Sequence, residues 1–502
     1  MAVSFFFRIF AVSEYTFFNM NRNTRFLVFF ITSLCCIWLV SCAPRVPDEA
    51  TIVIISFNDV HGNFEHQPGL SAFVAETRAI YEHVIVVDGG DRFMGNPFND
   101  LYERRGFPII DIQNRIGVDV SVLGNHEFAF GIDVLNARLD DAESVAISAN
   151  VEPGTSDLVS LKPYYIINKN GINIAFLGLT NVDRRTRIPL VLPERVVGVE
   201  FFNPIETALK YRHLRRSSHV FIALTHIGTE EDTVLANAMP ELDLIIGGHS
   251  HCIMVEPLIQ NGVPIIQAGR NARYAHKTKI FLRRGVIEEI TTELVSMRNW
   301  DGPIDTVILE KIQRYESNPL LTTPFVTLRY EIPSLNQLGN MITDAALTLP
   351  NVDFALMNCG GIRIEYLPAG SIAYSDILRL SPFGNHLIIV EMTPAEIRQF
   401  IEREFMERQV CLAIPGGFEY TVRRMPDNSV KVEKVTYPDG RRLDENRTYR
   451  MVLNNYLVST YLTGFADRAQ YTGVSMVDNI VEFLRNNPNK DYRRTHLRAR
   501  FN

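Results

Sequence analysis

Two α/β units joined by a short helical connector are what this 502-residue chain predicts. Three observations carry that reading. The chain is longer than a single domain of about 100–200 residues. From 51 to 297 short β-branched apolar runs alternate with helical patterns, the signature of a layered α/β domain. Asp301-Gly302-Pro303 and Asn318-Pro319 then interrupt the chain before a second alternating segment, 325–490. With 46% hydrophobic and 21% charged residues, composition excludes wholesale disorder. A net charge of −7 weighs against electrostatic binding of a nucleic-acid polymer, and nothing implies a protein partner.

In chain order, residues 26–40 come first: 15 uncharged apolar or small residues, preceded by Arg22 and Arg25. A spanning helix needs about 20, so the run reads as the apolar centre of a signal peptide over 1–41. Met20 offers an alternative start just upstream. Leu39-Val40-Ser41-Cys42 resembles the lipobox of bacterial lipoproteins, which makes Cys42 the lipidation site and 42–50 a tether. This predicts an extracytoplasmic, membrane-anchored protein, in the periplasm or on the cell surface. Cys252, Cys359 and Cys411 follow no disulfide spacing and read as buried free thiols.

The first domain, 51–297, offers strands at 51–57, 84–88, 118–124, 145–151, 172–180, 219–225 and 242–248, with helices at 69–82, 107–116 and 203–216. Runs at 263–268, 276–283 and 286–296 lack intervening helices and read as antiparallel. The connector, 298–324, holds one helix near 304–316. The second domain spans 325–490, and the basic residues of 491–502 read as a frayed, solvated tail.

Polar residues sit directly after the strands: Asp59 and His61, Asp91, Asn125 and His126, His226, then His249 and His251. Ligands in open α/β sheets gather at the carboxyl ends of strands. On extended chain, residues two apart share a face, so 59 with 61 and 249 with 251 can address one ion. Asp, Asn and His suit divalent ions such as Zn, Mn or Co. Two such cations can clamp a phosphoryl group and activate water.

These blocks (FNDVHG, GGD, GNHEF, THIG and GGHSH) resemble those of the calcineurin-like metallophosphoesterases, and more narrowly the 5′-nucleotidase/UDP-sugar hydrolase family. The resemblance implies that Asp59, His61, Asp91 and His251 hold one of two divalent metal ions. Asp91 would bridge to the second, held also by Asn125, His226 and His249, with His126 as the catalytic histidine. The family usually has an Asp three residues after that histidine; here it is Ala129.

In the second domain the blocks are Leu338-Gly339-Asn340, Asn358-Cys359-Gly360-Gly361-Ile362-Arg363 and Ser381-Pro382-Phe383-Gly384-Asn385. They resemble the 5′-nucleotidase C-terminal domain, which implies that Arg363 meets the substrate phosphate, Asn358 the nucleoside and Phe383 one face of the base. Ile332 stands where relatives often carry a further arginine. The second stacking ring falls to Phe465 or Tyr461. The function implied is metal-dependent hydrolysis of nucleotide phosphate esters. Alternatives are a 2′,3′-cyclic phosphodiesterase, a UDP-sugar hydrolase, a sulfate thiohydrolase, or a non-catalytic nucleotide-binding surface lipoprotein.

Overall fold

The computed structural model describes residues 46–408, 411–461 and 468–502. The signal peptide, Cys42 and Phe465 lie outside the described residues.

The first domain is a sandwich of two six-stranded sheets. From edge to edge, the first sheet runs Val286–Ser296, Tyr274–Arg283, Glu49–Phe57, Val84–Asp88, Val120–Val122, Val145–Ile147. The second runs Leu258–Gln260, Val263–Ile266, Leu244–Ile246, Val220–His226, Ile172–Thr180, Tyr164–Lys169. The central strands pair in parallel, and helices such as Gln67–Ile80 and Phe107–Ile116 cross between them. Ile52, Ile54, Ile85, Val87, Val120 and Val122 of one sheet meet Ile174, Phe176, Ile222, Leu224 and Ile246 of the other in a core without solvent contact worth naming. Covered on both faces, these strands are uninterrupted apolar runs, which is why they were legible.

The antiparallel expectation holds for Tyr274–Arg283 and Val286–Ser296, whereas Val263–Ile266 pairs in parallel with Leu244–Ile246. Strand Tyr164–Lys169 has no counterpart in the sequence reading; it returns through Asn170-Gly171, both at positive φ (49° and 86°), a turn suited to a tight hairpin. The helix expected over 203–216 divides into helix Pro204–Leu209 and a 3₁₀ segment Arg212–Arg216, where Arg215 is drawn to Asp243 and to the Ser218 and His219 carbonyls.

The connector helix Thr306–Tyr315 is docked on the first domain. Asp305 caps it, its Oδ1 accepting from Val307 N (3.0 Å) and Ile308 N (3.3 Å), while its Oδ2 accepts from Ser71 Oγ (2.8 Å). Lys311 and the Tyr315 hydroxyl both donate to Asp111 Oδ2 at 2.6 Å.

The second domain centres on a mixed five-stranded sheet ordered Ile414–Gly416, Phe354–Met357, Tyr449–Asn454, His386–Met392, Ala469–Ser475. Helices Leu335–Ala346 and Met476–Asn486 cover one face, and Pro394–Arg408 packs against the other. Two expectations are corrected. Cys359 and Cys411 form a disulfide, with Cα atoms 6.3 Å apart, because the sheet brings together positions separated by 52 residues; Cys252 alone remains a free thiol among the described residues. The C-terminus is no frayed tail: Ala499–Phe501 pairs in parallel with Glu419–Arg424, and Arg498 bonds Asp344 at 2.8 Å. His496 and Arg498 find their acidic partners, Glu419 and Asp344, on the body of the domain.

Candidate metal centre and substrate cleft

Five strand-end loops, three from the first sheet and two from the second, converge on one end of the sandwich. Strand Glu49–Phe57 leads to Asp59 and His61, Val84–Asp88 to Asp91, and Val120–Val122 to Asn125 and His126. Val220–His226 ends on His226, and Leu244–Ile246 leads to His249 and His251. The route differs from the one expected. Asp59, His61, Asp91, His249 and His251 are not extended; each has positive φ, from 51° to 77°. Residues with a Cβ seldom adopt that region, and strained backbone of this kind clusters at functional sites. Side chains two apart therefore meet because the loops turn sharply.

The candidate ligand atoms surround two carboxylates. Asp59 Oδ1 has His251 Nε2 at 3.2 Å, His61 Nε2 at 3.7 Å and His226 Nε2 at 3.9 Å. Asp91 Oδ2 has His226 Nε2 at 3.1 Å and His126 Nε2 at 3.8 Å. His249 Nδ1 lies 3.0 Å from Asn125 Oδ1. Asp59–His61–His251 and Asp91–His226–His249 are each close enough to share an ion, and Asp91 also groups with His61 and His126. Asp59 Oδ1 and His226 Nε2 are buried without a hydrogen bond. Buried polar atoms without partners are costly, and a cation among them would satisfy both. The residues thus fit divalent metal ions.

Electrostatics agree. Burial alone would raise Asp91, but the charges of the nearby His226 and His126 rings hold it well below the usual carboxylate value. Burial opposes ionisation of His226, and Asp91 and Asp59 overcome it and push His226 upward. Burial drives His126 and His249 down to about 4, with Asp91 opposing in both. Burial, then the Arg363 charge, depresses His61.

Supporting groups fix the donors. Gly89 O faces His226 Nδ1 at 2.7 Å and Met94 O faces His61 Nδ1 at 3.1 Å, which leaves each Nε2 for the centre. Asn125 Nδ2 donates to Leu190 O (3.2 Å), which turns Oδ1 toward His249. Asn58 Nδ2 donates to Asp59 Oδ2 (2.6 Å) and to Gly269 O (2.8 Å). Gly248 must be glycine, since a Cβ there would stand 2.6 Å from Gly89 O and 2.7 Å from His226 Nδ1.

Glu127 is the residue sequence reasoning passed over. Fully buried, it accepts from the backbone N–H groups of Asp91 (2.9 Å), Arg92 (2.7 Å) and Gly124 (2.6 Å). It ties the loop that carries Asp91 to the loop that carries Asn125 and His126. A carboxylate at a buried position between two candidate ligand loops was the available signal.

Above the centre lies an interdomain cavity of about 350 Å³. Asp91, Asn125, His126, His249 and His251 line it from the first domain, and Asn358, Arg363, Phe383 and Tyr456 from the second. Phe383 stacks on His126, with centroids 5.9 Å apart, and Arg363 lies 5.6 Å from the Phe383 centroid. Arg363 and Phe383 are thus neighbours, not separate stations. Tyr456, not singled out beforehand, supplies a second aromatic wall. Asn340 does not reach the cavity; it donates to Thr495 Oγ1 at 3.3 Å and to His496 O at 3.4 Å. Ile332 is buried in the core of the second domain. Ala129 lines the cavity beside His126, and Asp91 is the only carboxylate paired with that ring among the described residues.

A two-sheet sandwich that gathers Asp, Asn and His at its strand ends, beneath a cleft walled by a second α/β domain, defines a metal-dependent phosphoesterase. Residues 52–252 match the family described as calcineurin-like phosphoesterase, and residues 322–466 match the 5′-nucleotidase C-terminal domain. A 5′-nucleotidase of Vibrio cholerae is 29% identical over 422 residues, covering 70% of this chain and 75% of that protein. Protein UshA of Yersinia enterocolitica is 27% identical, covering 81% and 84%. Among solved structures, a 5′-nucleotidase precursor from Thermus thermophilus superposes with a TM-score of 0.80 at 22% identity, covering 90% and 99%. The sulfate thiohydrolase SoxB superposes at 0.75 with 16% identity, covering 90% and 96%, a likeness of fold alone. The chain belongs to the calcineurin-like phosphoesterases that carry a 5′-nucleotidase C-terminal domain.

Proposed function

We propose that this enzyme hydrolyses the phosphate esters of nucleotides, with two divalent cations in its centre. The observation that carries the reading is Asp91, whose carboxylate faces ring nitrogens of two ligand groups and lies in the same cavity as Arg363 and Phe383. Asp59, His61, His251 and Asp91 would hold one ion, and Asp91, Asn125, His226 and His249 the other. When bound, such ions polarise phosphoryl oxygens and make water nucleophilic near neutral pH. Arg363 orients the phosphate through its guanidinium fork. His126, anchored by its backbone N–H on Asp91 Oδ1 (2.8 Å), stands at the cavity wall where charge develops on the leaving oxygen. Asn358 and the Phe383 and Tyr456 rings select the organic part. Phe465, in the matched C-terminal segment, is retained as a further candidate contact.

Phosphate release from nucleoside monophosphates, cyclic nucleotides and UDP-sugars, each with Mn, Zn, Co and Mg, tests the reading. Asp91→Ala should abolish both two-ion occupancy and turnover. Normal hydrolysis with two ions per chain in that variant would sink the site assignment.

We further propose an extracytoplasmic, lipid-anchored location through Cys42. Among the described residues no helix is long and apolar enough to cross a membrane. Labelled fatty acid incorporated equally by wild type and Cys42→Ser would reject the anchor.

A further inference from the structure

One buried amide beside the centre has no role in the account so far. Gln267 follows strand Val263–Ile266, is 1% exposed and is not a candidate ligand. It faces the loop 247–252, which carries His249 and His251. Its Nε2 donates to Gly248 O (3.0 Å), and its Oε1 accepts from Cys252 N (3.3 Å). One end of the loop offers a carbonyl and the other an N–H, so only one orientation of the amide satisfies both.

The main chain around Gln267 braces the same loop. Gly247 N donates to Ile266 O (2.9 Å), Gly269 N to Cys252 O (2.8 Å) and Met254 N to Gln267 O (3.1 Å). That last carbonyl also has Nε2 of the buried His276 at 3.2 Å. The loop lies directly on the amide: a Cβ at Gly247 would stand 3.0 Å from Gln267 Nε2 and 2.4 Å from Asp232 Oδ2. Between the braced ends His249 and His251 hold positive φ, 77° and 56°. Residues with a Cβ keep that conformation where their surroundings impose it.

The two histidines serve different groups. His251 belongs with Asp59 and His61, and His249 with Asp91 and His226. One loop therefore supplies a donor to each proposed ion. On its other side the loop is held by Asp59, whose Oδ2 accepts from His249 N at 3.0 Å. Asp59 is itself a candidate ligand, whereas Gln267 touches the loop only from within.

We propose that Gln267 is a positioning residue for both ions: by fixing the two ends of the loop it aims His249 and His251 together, so that affinity for the two cations falls jointly when the amide is lost. The proposal rests on the two-ion reading of the centre.

The test is titration of the metal-free full chain with Co²⁺, followed by calorimetry and by the visible absorption of the bound ion. Wild type is compared with Gln267→Met, which keeps the volume and loses the amide donor, and with Gln267→Glu, which keeps an acceptor for Cys252 N. Groups that support metal ligands are worth about 10–100-fold in metal affinity. Gln267→Met should weaken both ions by about ten-fold or more, with the melting temperature of the metal-free protein near that of wild type. Gln267→Glu should lose less, because one of the two contacts survives, and it decides the matter if the methionine variant does not fold. Excess Co²⁺ should restore kcat on p-nitrophenyl phosphate, with KM unchanged. Loss of one ion alone overturns the proposal, as does wild-type affinity for both, even with a lowered melting temperature. If wild type itself takes up fewer than two Co²⁺ per chain, the two-ion reading fails and the joint effect falls with it. Two ions bound equally well by wild type and variants would leave that reading standing and remove Gln267 alone.

Discussion

Phe383 of the second domain stacks on His126 of the first, with ring centroids 5.9 Å apart and planes inclined by 28°. A residue assigned from sequence to the organic part of the substrate thus also covers the histidine assigned to its reacting end. The contact belongs to a wider seam. Arg273 pairs with Glu365 at 2.5 Å, Arg379 pairs with Glu316 at 3.1 Å, and Tyr374 and Leu378 pack against the core of the first domain. The cavity exists only while the two domains meet across this seam.

Replacing Phe383 with alanine should therefore act twice. Loss of base stacking is worth about 1–3 kcal/mol in single-stranded nucleic-acid sites, which predicts a fall of about ten- to a hundred-fold in kcat/KM for nucleotides. p-Nitrophenyl phosphate lacks the nucleobase and should fall less, by whatever exposing His126 costs. Equal loss on both substrates would make Phe383 a packing residue, and would remove one reason for reading nucleotide specificity in the cleft.

Glu127 should matter for stability as much as for rate. Its carboxylate receives three backbone N–H groups from the loops of Asp91 and His126, with the Arg92 side chain at 3.4 Å. Glu127→Ala leaves those donors and the buried Arg92 without an acceptor, a loss of about 3–5 kcal/mol. Glu127→Gln should cost less, because one oxygen still accepts. Chemical denaturation of both variants checks the order, with metal content measured in parallel. Wild-type stability in Glu127→Ala would show that the loops hold themselves.

Much of this was legible in the sequence, for identifiable reasons. Strands such as Ile172–Thr180 and Val220–His226 are buried on both faces and read as unbroken apolar runs. The candidate ligand residues stood out because each lies at or just after the end of such a run. What could not be read were relations made by folding: the left-handed turns that aim Asp59 and His61 together, and the sheet that brings Cys359 to Cys411. Arg498 looked solvated because its partner, Asp344, lies far away in the chain.

Asp232, behind His226 of the centre, gives a further pH signature. It is fully buried, with Thr225 Oγ1 donating to it at 2.6 Å, and burial raises its pKa to about 7 from the model-compound value of 3.8. The folded state therefore binds its proton more tightly than the unfolded state. That contribution is whole below about pH 4 and is lost as pH rises through about 7. In Asp232→Asn this part of the pH dependence should vanish. Urea midpoints measured across that window should fall less steeply in the variant. Identical slopes would mean that Asp232 stays ionised in the fold.

The Cys359–Cys411 disulfide makes the last prediction, because of where it sits. Cys359 follows Asn358 directly and lies four residues before Arg363, so the crosslink fastens the loop that carries both proposed substrate contacts. Cys411 stands just before strand Ile414–Gly416, which pairs with Phe354–Met357, the strand that feeds the same loop. A crosslink spanning 52 residues restricts the unfolded chain by about 4 kcal/mol in the loop-entropy account. Cys411→Ser should lower the melting temperature. It should also raise KM for nucleotides more than it lowers kcat, since the loop carries the proposed substrate contacts while the proposed metal ligands lie on the other domain. Reducing agent should reproduce both effects in wild type and do nothing further to the variant. A variant with the wild-type KM but a lowered melting temperature would confine the disulfide to stability. Unchanged values of both would mean that the thiols stay reduced in the working protein.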